Sequence, residues 1–409
     1  MNPSYILLNC LTLLLSACVG ITQAETSMAT SKTSFVLTDA DKGVDGLNNP
    51  RDIALSKDKK WLFVASADDN ALSAFKINDD FSLTHQQTIK SSKQVKLEGA
   101  LSVVTDSQSQ NVYVLSYYHS ALLHFSFDEA SGLTLKHTLS DNLPFQQVFK
   151  QPDTIQPKQD TMGILGGYEL HIDHLTNQLF IASTVSHGVS VFDIDKNGTP
   201  TLTQRINTIK DNALSGAVSV TTDDSGQFLA VAGMNGKAVS IYTKNVTGTF
   251  EYTQTIKHQF EMPISVTFAQ NGQYLLAVDA MTSDIVVFQQ RNNQSYELMQ
   301  VMSKTEHSIN GLNKVAFLKD NESIMTFSEQ SHRIDKFELI DSALKHTQTL
   351  SVPSLQSATS LELLDSHHAV STWAKSDALA VFKIAETKKA TKLPFFVCRK
   401  LRLKVITNI

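Results

Sequence analysis

The chain has 409 residues, 42% of them hydrophobic and 18% charged, with a formal net charge of −5. Such a composition excludes a disordered chain, and the acidic balance excludes a general nucleic-acid binder, which needs a basic face for phosphate. The length would ordinarily suggest more than one domain, but all-β units often exceed that rule as a single body.

Residues 1–24 read as an export segment. Tyr5 to Leu15 is mostly apolar yet too short to span a bilayer as an ordinary helix. Leu15-Ser16-Ala17-Cys18 resembles a bacterial lipobox, in which Cys18 is acylated and becomes the new N-terminus. Thr22-Gln23-Ala24 offers the alternative of ordinary cleavage before Glu25, which would release a secreted protein. The lipobox is favoured, because a Cys directly after a short apolar run and two small residues is the more specific pattern, although no Lys or Arg precedes the run. The expectation is therefore an exported protein, a periplasmic or cell-surface lipoprotein that meets the membrane only through its anchor. The three cysteines, Cys10, Cys18 and Cys398, leave no disulfide framework after export.

Residues 25–387 are expected to form one domain. It opens with a lone strand, Ser34 to Thr38, and then one pattern recurs seven times. Each copy is a short strand, a polar turn, an apolar strand, a small polar turn, and a third strand ending in an aromatic. In the first copy these are Arg51 to Ser56, Trp61 to Ser66 and Ala71 to Phe75. The terminal aromatics are Phe75, Phe125, Phe192, Tyr242, Phe288, Phe337 and Phe382, separated by 50, 67, 50, 46, 49 and 45 residues by subtraction. A fourth strand follows most copies: Leu83 to Ile89, Leu133 to Leu139, Leu202 to Ile206, Tyr252 to Ile256, Tyr296 to Met302 and Leu344 to Leu350. These segments are rich in Thr, Leu and Ile, as strands packing on one face should be. Four antiparallel strands per repeat of about 40–50 residues is the period of a β-propeller blade. The seventh copy lacks an obvious fourth strand, so the N-terminal strand is expected to complete it and close the ring, with the segment after Phe382 as competitor. The predicted fold is all-β, a seven-bladed β-propeller of four-stranded antiparallel blades closed by an N-terminal strand.

Two stretches fall outside the repeat. Ser140 to Met162, with Pro144, Pro152 and Pro157 around Phe145 and Phe149, accounts for the long second separation and reads as a surface insertion or a lid over the channel. The tail at 388–409 carries Lys388, Lys389, Lys392, Arg399, Lys400, Arg402 and Lys404; an edge strand, a membrane contact and an altered reading frame all fit it, and its role stays open.

Val44 to Leu47, Asn49-Pro50-Arg51, Ile53 to Ser56, Trp61 to Ala65 and Ala71 to Phe75 together resemble the blade pattern of the propeller-type lactonase family, which includes 6-phosphogluconolactonases and muconate-lactone enzymes. The resemblance runs from about Ser34 to Phe382. It implies the propeller fold; activity does not follow from fold. Where the family often reads Pro-Arg-His, this chain has Pro50-Arg51-Asp52, and where the family often has Asn-Glu after the second strand, it has Ser66-Ala67. Only Arg51 carries over, as a possible ligand contact.

Aligning the inner strands gives one position near the axis in each blade: Asp52, Ser102, Glu169, Ser219, Ser265, Lys314 and Ser360. The serines suggest a repeated structural hydrogen bond. The charged exceptions, Asp52, Glu169 and Lys314, are the candidate catalytic set: a carboxylate as general base, Lys314 with Arg51 to polarise a carbonyl. Their bland alternative is mutual pairing that merely fills the channel. A second ring lies five residues before each terminal aromatic: Asn70, Ser120, His187, Lys237, Ser283, His332 and Asp377, with Asp69 and His119 beside it. From these, His119, His187, His332 and Asp377 join Arg51 as candidate ligand contacts. His171-Ile172-Asp173-His174 lacks a further histidine for a metal site, and Asp173 falls at the inner hairpin turn, where other blades have Ser56, Asp106 and Asp223. The run Asp193 to Gly198 has Gln204 where a calcium loop needs Glu. No metal or other cofactor is expected. The function expected is binding of a protein, glycan or small lactone on the loop face around the channel, with hydrolysis or isomerisation of small lactones as the enzymatic alternative.

Overall fold

In the computed structural model the residues described are 33–384, apart from 142, 144–158, 208–211, 292–293, 308 and 319–321. Cys18 and the export segment, most of the 140–162 insertion and the basic tail lie outside them.

Among the described residues there are seven sheets of four antiparallel strands, six of them running outward from the axis in chain order. Blade 1 consists of Pro50–Leu55, Trp61–Ser66, Ala71–Ile77 and Leu83–Lys90. The inner strands of blades 2 to 7 are Ala100–Thr105, Gly167–Asp173, Ala217–Thr222, Pro263–Ala269, Leu312–Leu318 and Ala358–Leu363. Fourth strands begin and end within two residues of the expected positions, as in Gly132–Ser140, Phe250–Ile256 and Ala343–Ser351.

The ring closes as the repeat implied. Thr33–Thr38 is the outermost strand of blade 7, antiparallel to Ala378–Lys383, with Leu37 opposite Leu379. Closure leaves no blade with a missing outer strand, which matters because an unpaired edge templates aggregation.

The core is not central. It is divided into clusters lying between neighbouring blades, one for each of the seven junctions. The repeat explains this: each blade is apolar on both faces and can bury them only against its neighbours. The terminal aromatics are the anchors. Phe75, Phe125, Phe192, Phe337 and Phe382 are wholly buried. At the closing junction Leu37, Val44 and Leu47 pack with Ile53 and Val64 of blade 1 and Leu379 and Val381 of blade 7.

Polar stitching repeats along the rim. The Gln87 amide receives Leu133 N–H (2.7 Å) and donates to Leu133 O (3.2 Å), bridging the outer strands of blades 1 and 2. Gln204 on Phe250, Gln254 on Tyr296 and Gln300 on Leu344 do the same further round. The insertion after blade 2 is tied at its base: buried Asp141 accepts the N–H groups of Thr161, Met162 and Ile164 at 2.7–3.0 Å.

Candidate functional site

The inner-strand ring is real and its hydrogen bonds run between blades. Val103 N–H donates to Asp52 Oδ2 (3.1 Å), Leu170 N–H to Ser102 Oγ (3.1 Å) and Val220 N–H to Glu169 Oε2 (2.9 Å). Val266 N–H donates to Ser219 Oγ and Val315 N–H to Ser265 Oγ, both at 3.1 Å. The position is thus an acceptor that satisfies a backbone donor of the next inner strand, which is why Ser, Asp and Glu all serve.

Lys314 breaks the chain of acceptors, because an ammonium has only donors. It reaches past blade 7 to Asp52 Oδ1 at 3.3 Å. Ser360 Oγ donates to the same oxygen (2.8 Å) and Ser102 Oγ to Asp52 Oδ2 (2.9 Å). Each oxygen of the buried Asp52 carboxylate therefore accepts two bonds. Glu169 is held more lightly. Burial pushes its carboxyl above the ordinary carboxylate range, against the opposing pull of Lys314, Ser219 and Val220 N–H. Lys314 is held above its ordinary range despite burial, by Asp52 and Glu169, and is cationic.

Asp52, Glu169, Lys314 and Arg51 do converge: all four line one small cavity at the channel mouth, of about 70 Å³. The same cavity takes in residues the sequence alignment passed over, among them Tyr168, Asn313 and Glu329. Their origin is systematic. In every blade the register of the first two strands slips by one residue just before the ring position, at 51, 101, 168, 218, 264, 313 and 359. A bulge of this kind turns the extra side chain out of the ladder. Here all seven bulged residues line the mouth. Arg51 stands at this position in blade 1, so its partners were one step back along each inner strand. Below the ring the channel widens to a vestibule of about 820 Å³ that Asp52, Glu169 and Lys314 also border.

The second ring forms inter-blade latches. Gly99 N–H donates to Asn70 Oδ1 (2.7 Å), Gly166 N–H to Ser120 Oγ (3.1 Å) and Gly216 N–H to His187 Nδ1 (3.0 Å). Gly311 N–H donates to Ser283 Oγ (2.9 Å) and Asn49 N–H to Asp377 Oδ1 (2.8 Å). His332 Nδ1 lies 2.7 Å from Leu355 O, and Glu98 N–H donates to His119 Nδ1 (3.2 Å). In the ring itself Asn70, Ser120, His187, Lys237, Ser283 and Asp377, all but His332, have φ between 47° and 60°, the left-handed conformation that a tight hairpin turn demands. His187, His332 and Asp377 thus each spend one side-chain atom on holding blades together, while His119 ties the segment entering blade 2 to a turn of the same blade.

The motifs set aside on the sequence are turns. Asp173 accepts Leu175 N–H (2.8 Å), and Asp195 accepts Asn197 and Thr199 N–H (both 2.8 Å). Among the described residues Asp39, Asp45 and Asp69 approach one another. Lys90 already bridges Asp45 (2.5 Å) and Asp69 (3.0 Å), and Asp39 accepts Gly46 and Leu47 N–H.

Residues 170–317, from the third inner strand to the sixth, match the model of the family described as lactonase, 7-bladed beta-propeller. The chain is a lactonase-like seven-bladed propeller. A putative 6-phosphogluconolactonase from Bacteroides uniformis is 15% identical, with a TM-score of 0.61 over 77% of this chain and 88% of that one. A periplasmic gluconolactonase from Pseudomonas aeruginosa is 12% identical, with a TM-score of 0.58 over 74% and 86%. The Swd1 propeller domain from Myceliophteria thermophila scores 0.62 at 10% identity over 87% of this chain and all of that domain. At such identities these likenesses establish the fold alone. No curated protein matches the chain by sequence. The matched segment contains Asn313 and Lys314 of this lactonase-like propeller, while Arg51, Asp52 and Glu169 lie before it.

Proposed function

We propose that this propeller hydrolyses a small lactone at the channel mouth. The observation that carries the reading is a carboxyl with a raised pKa, Glu169, lining one cavity with cationic Lys314 and Arg51. Asp52, with four bonds already accepted, serves to hold Lys314 in place. Glu169 is the base: it takes a proton from water as the water oxygen attacks the ring carbonyl carbon. Lys314, whose ammonium has donors beyond the one given to Asp52, stabilises the oxyanion that develops. The carbonyl re-forms as the ring C–O bond breaks, and the leaving alkoxide takes the proton from Glu169, giving the hydroxy acid.

Glu169→Gln is expected to lower turnover of small lactones by about a hundredfold or more, the usual share of a general base, while the folded protein survives. In the unaltered protein activity should rise with pH as Glu169 loses its proton, with the midpoint displaced above the ordinary carboxylate range. Full turnover in the Gln variant refutes the role. Binding of lactones without turnover in either protein would instead support the second reading, ligand capture, which the saturation of Asp52 favours.

The setting we propose is the cell envelope, and it rests on the N-terminal segment alone. Acyl labelling of the expressed protein should vanish on Cys18→Ser; an unlabelled mature chain beginning at Glu25 would replace the anchor with secretion.

A further inference from the structure

The mouth is wrongly charged for an anion. Two cations line it, Arg51 and Lys314, against three carboxylates, Asp52, Glu169 and Glu329. Even with a proton held on Glu169 the charges only cancel. Lys314 is committed to Asp52. Arg51, the group best shaped to receive a phosphate or carboxylate, instead pairs with Glu329: its Nη2 donates to Glu329 Oε1 at 2.9 Å. That contact spans blades 1 and 6, and Lys375 of blade 7 pins the Glu329 backbone by donating to its carbonyl oxygen (3.3 Å). Glu329 therefore sits where the charged end of an anionic ligand would have to go.

What the mouth does offer is suited to hydroxyl groups and a ring. Asn313 Nδ2 lies 3.5 Å from Glu329 Oε1, while Asn313 Oδ1 is enclosed and meets no donor among the described residues. An enclosed acceptor without a donor is costly unless a ligand hydroxyl or a water supplies one. Tyr168 lines the same cavity with its hydroxyl bonded to the Arg51 side chain, and Tyr117 meets its ring edge-on at 6.2 Å and that of Tyr118 at 5.4 Å. Gly99 allows this, since a Cβ there would stand 2.6 Å from the Tyr118 ring at a φ of +67°. One tyrosine ring, Tyr168, backed by Tyr117 and set beside a few convergent polar groups, suits a hydroxylated ring, with C–H bonds against the aromatic and hydroxyls toward Asn313.

We propose that the mouth selects a neutral, hydroxyl-rich lactone, one bearing neither phosphate nor carboxylate, and that Glu329 enforces this by capping Arg51. The substrate class rests on the lactonase reading; the anion gate at Glu329 does not. The test compares turnover of δ-gluconolactone and its 6-phosphate by the unaltered protein and by Glu329→Gln, with calorimetric titration of inorganic phosphate into both. The unaltered protein should favour the neutral lactone by about tenfold or more, and Glu329→Gln should move the ratio about tenfold toward the phosphorylated one, since freeing a buried-side Arg changes discrimination on that scale. Phosphate should bind Glu329→Gln and not the unaltered protein. A preference for the phosphorylated lactone in the unaltered protein, or a ratio that Glu329→Gln leaves unmoved, overturns the proposal. Failure to turn over either lactone would sink the lactonase reading and with it the substrate class; the phosphate titration then judges the gate alone, and equal binding by both proteins overturns it.

Discussion

A chain that begins after Asp39 is expected to lose cooperative unfolding, or to aggregate, when compared with one that begins at Glu25. The strand Thr33–Thr38 supplies the outer edge of blade 7 and buries Leu37 at the junction of blades 7 and 1. Ser34 Oγ donates to Val381 O (3.0 Å), and Asp39, just beyond the strand, accepts Gly46 and Leu47 N–H at 3.0 and 2.9 Å. Burying one Leu contributes about 1.5–3 kcal/mol, and each ladder or side-chain hydrogen bond adds roughly 0.5–1.5 kcal/mol net. The sum reaches the order of the whole stability of an ordinary domain, about 5–15 kcal/mol. The exposed strand Ala378–Lys383 would then be an edge open to another chain. Urea unfolding followed by circular dichroism, with light scattering, reads both effects. An unchanged urea midpoint would mean that some other segment closes the ring.

Asp52→Ala is expected to cost about 3–5 kcal/mol, the usual penalty for removing one partner of a buried ion pair. The substitution strands Val103 N–H, two serine hydroxyls and the Lys314 ammonium at once. Asp52→Asn can keep an acceptor for Ser102 and Val103 N–H and should cost less, since it loses only the oxygen facing Ser360 and Lys314 together with the charge. Adding Lys314→Met to Asp52→Ala should recover part of the loss, because the orphaned cation goes with it. Denaturant midpoints of the unaltered protein, Asp52→Ala, Lys314→Met and the double variant form the cycle, with Asp52→Asn measured beside it. Equal costs for Ala and Asn would show that the charge, and not the shape of the acceptor, is what Asp52 supplies; no recovery in the double variant would show that the Lys314 contact contributes nothing.

How far the sequence could be read depends on the kind of information asked for. The terminal aromatics were legible as a period because each blade must place one large apolar side chain between itself and the next, and Phe75, Phe125, Phe192 and Phe337 are all wholly buried there. Ring closure was legible because one unpaired strand, Ser34 to Thr38, and one incomplete blade could complete each other and cover the sheet edges, with the segment after Phe382 as the competing solution. The axial position holding Asp52, Glu169 and Lys314 was legible too, as the one place in aligned strands where polar residues recur.

The composition of the mouth was less accessible. Strand alternation has a period of two, and a bulge shifts that period by one residue without any signature in these sequences. Hence Tyr168 and Asn313, each a bulged residue next to a residue already singled out, were passed over, and so was Glu329, which arrives from a turn between strands. The use of a side chain was hidden for a related reason. His187 and Asp377 look alike as polar turn residues whether they meet solvent, a ligand or the next blade. Only the approach of Gly216 and Asn49 from the following blade shows that they are latches.

By itself, then, the amino-acid order determined the all-β class, the number of blades, the closing strand and the axial polar ring, because these follow from local periodicity and from the need to bury both faces of each blade. The tertiary structure alone decided which charges meet. Asp52 and Lys314 are 262 positions apart, and Arg51 and Glu329 are 278 apart. Their contacts depend on the curvature of seven packed sheets around an axis, which no stretch of sequence encodes locally, and on a bulge in each blade that turns one side chain into the mouth.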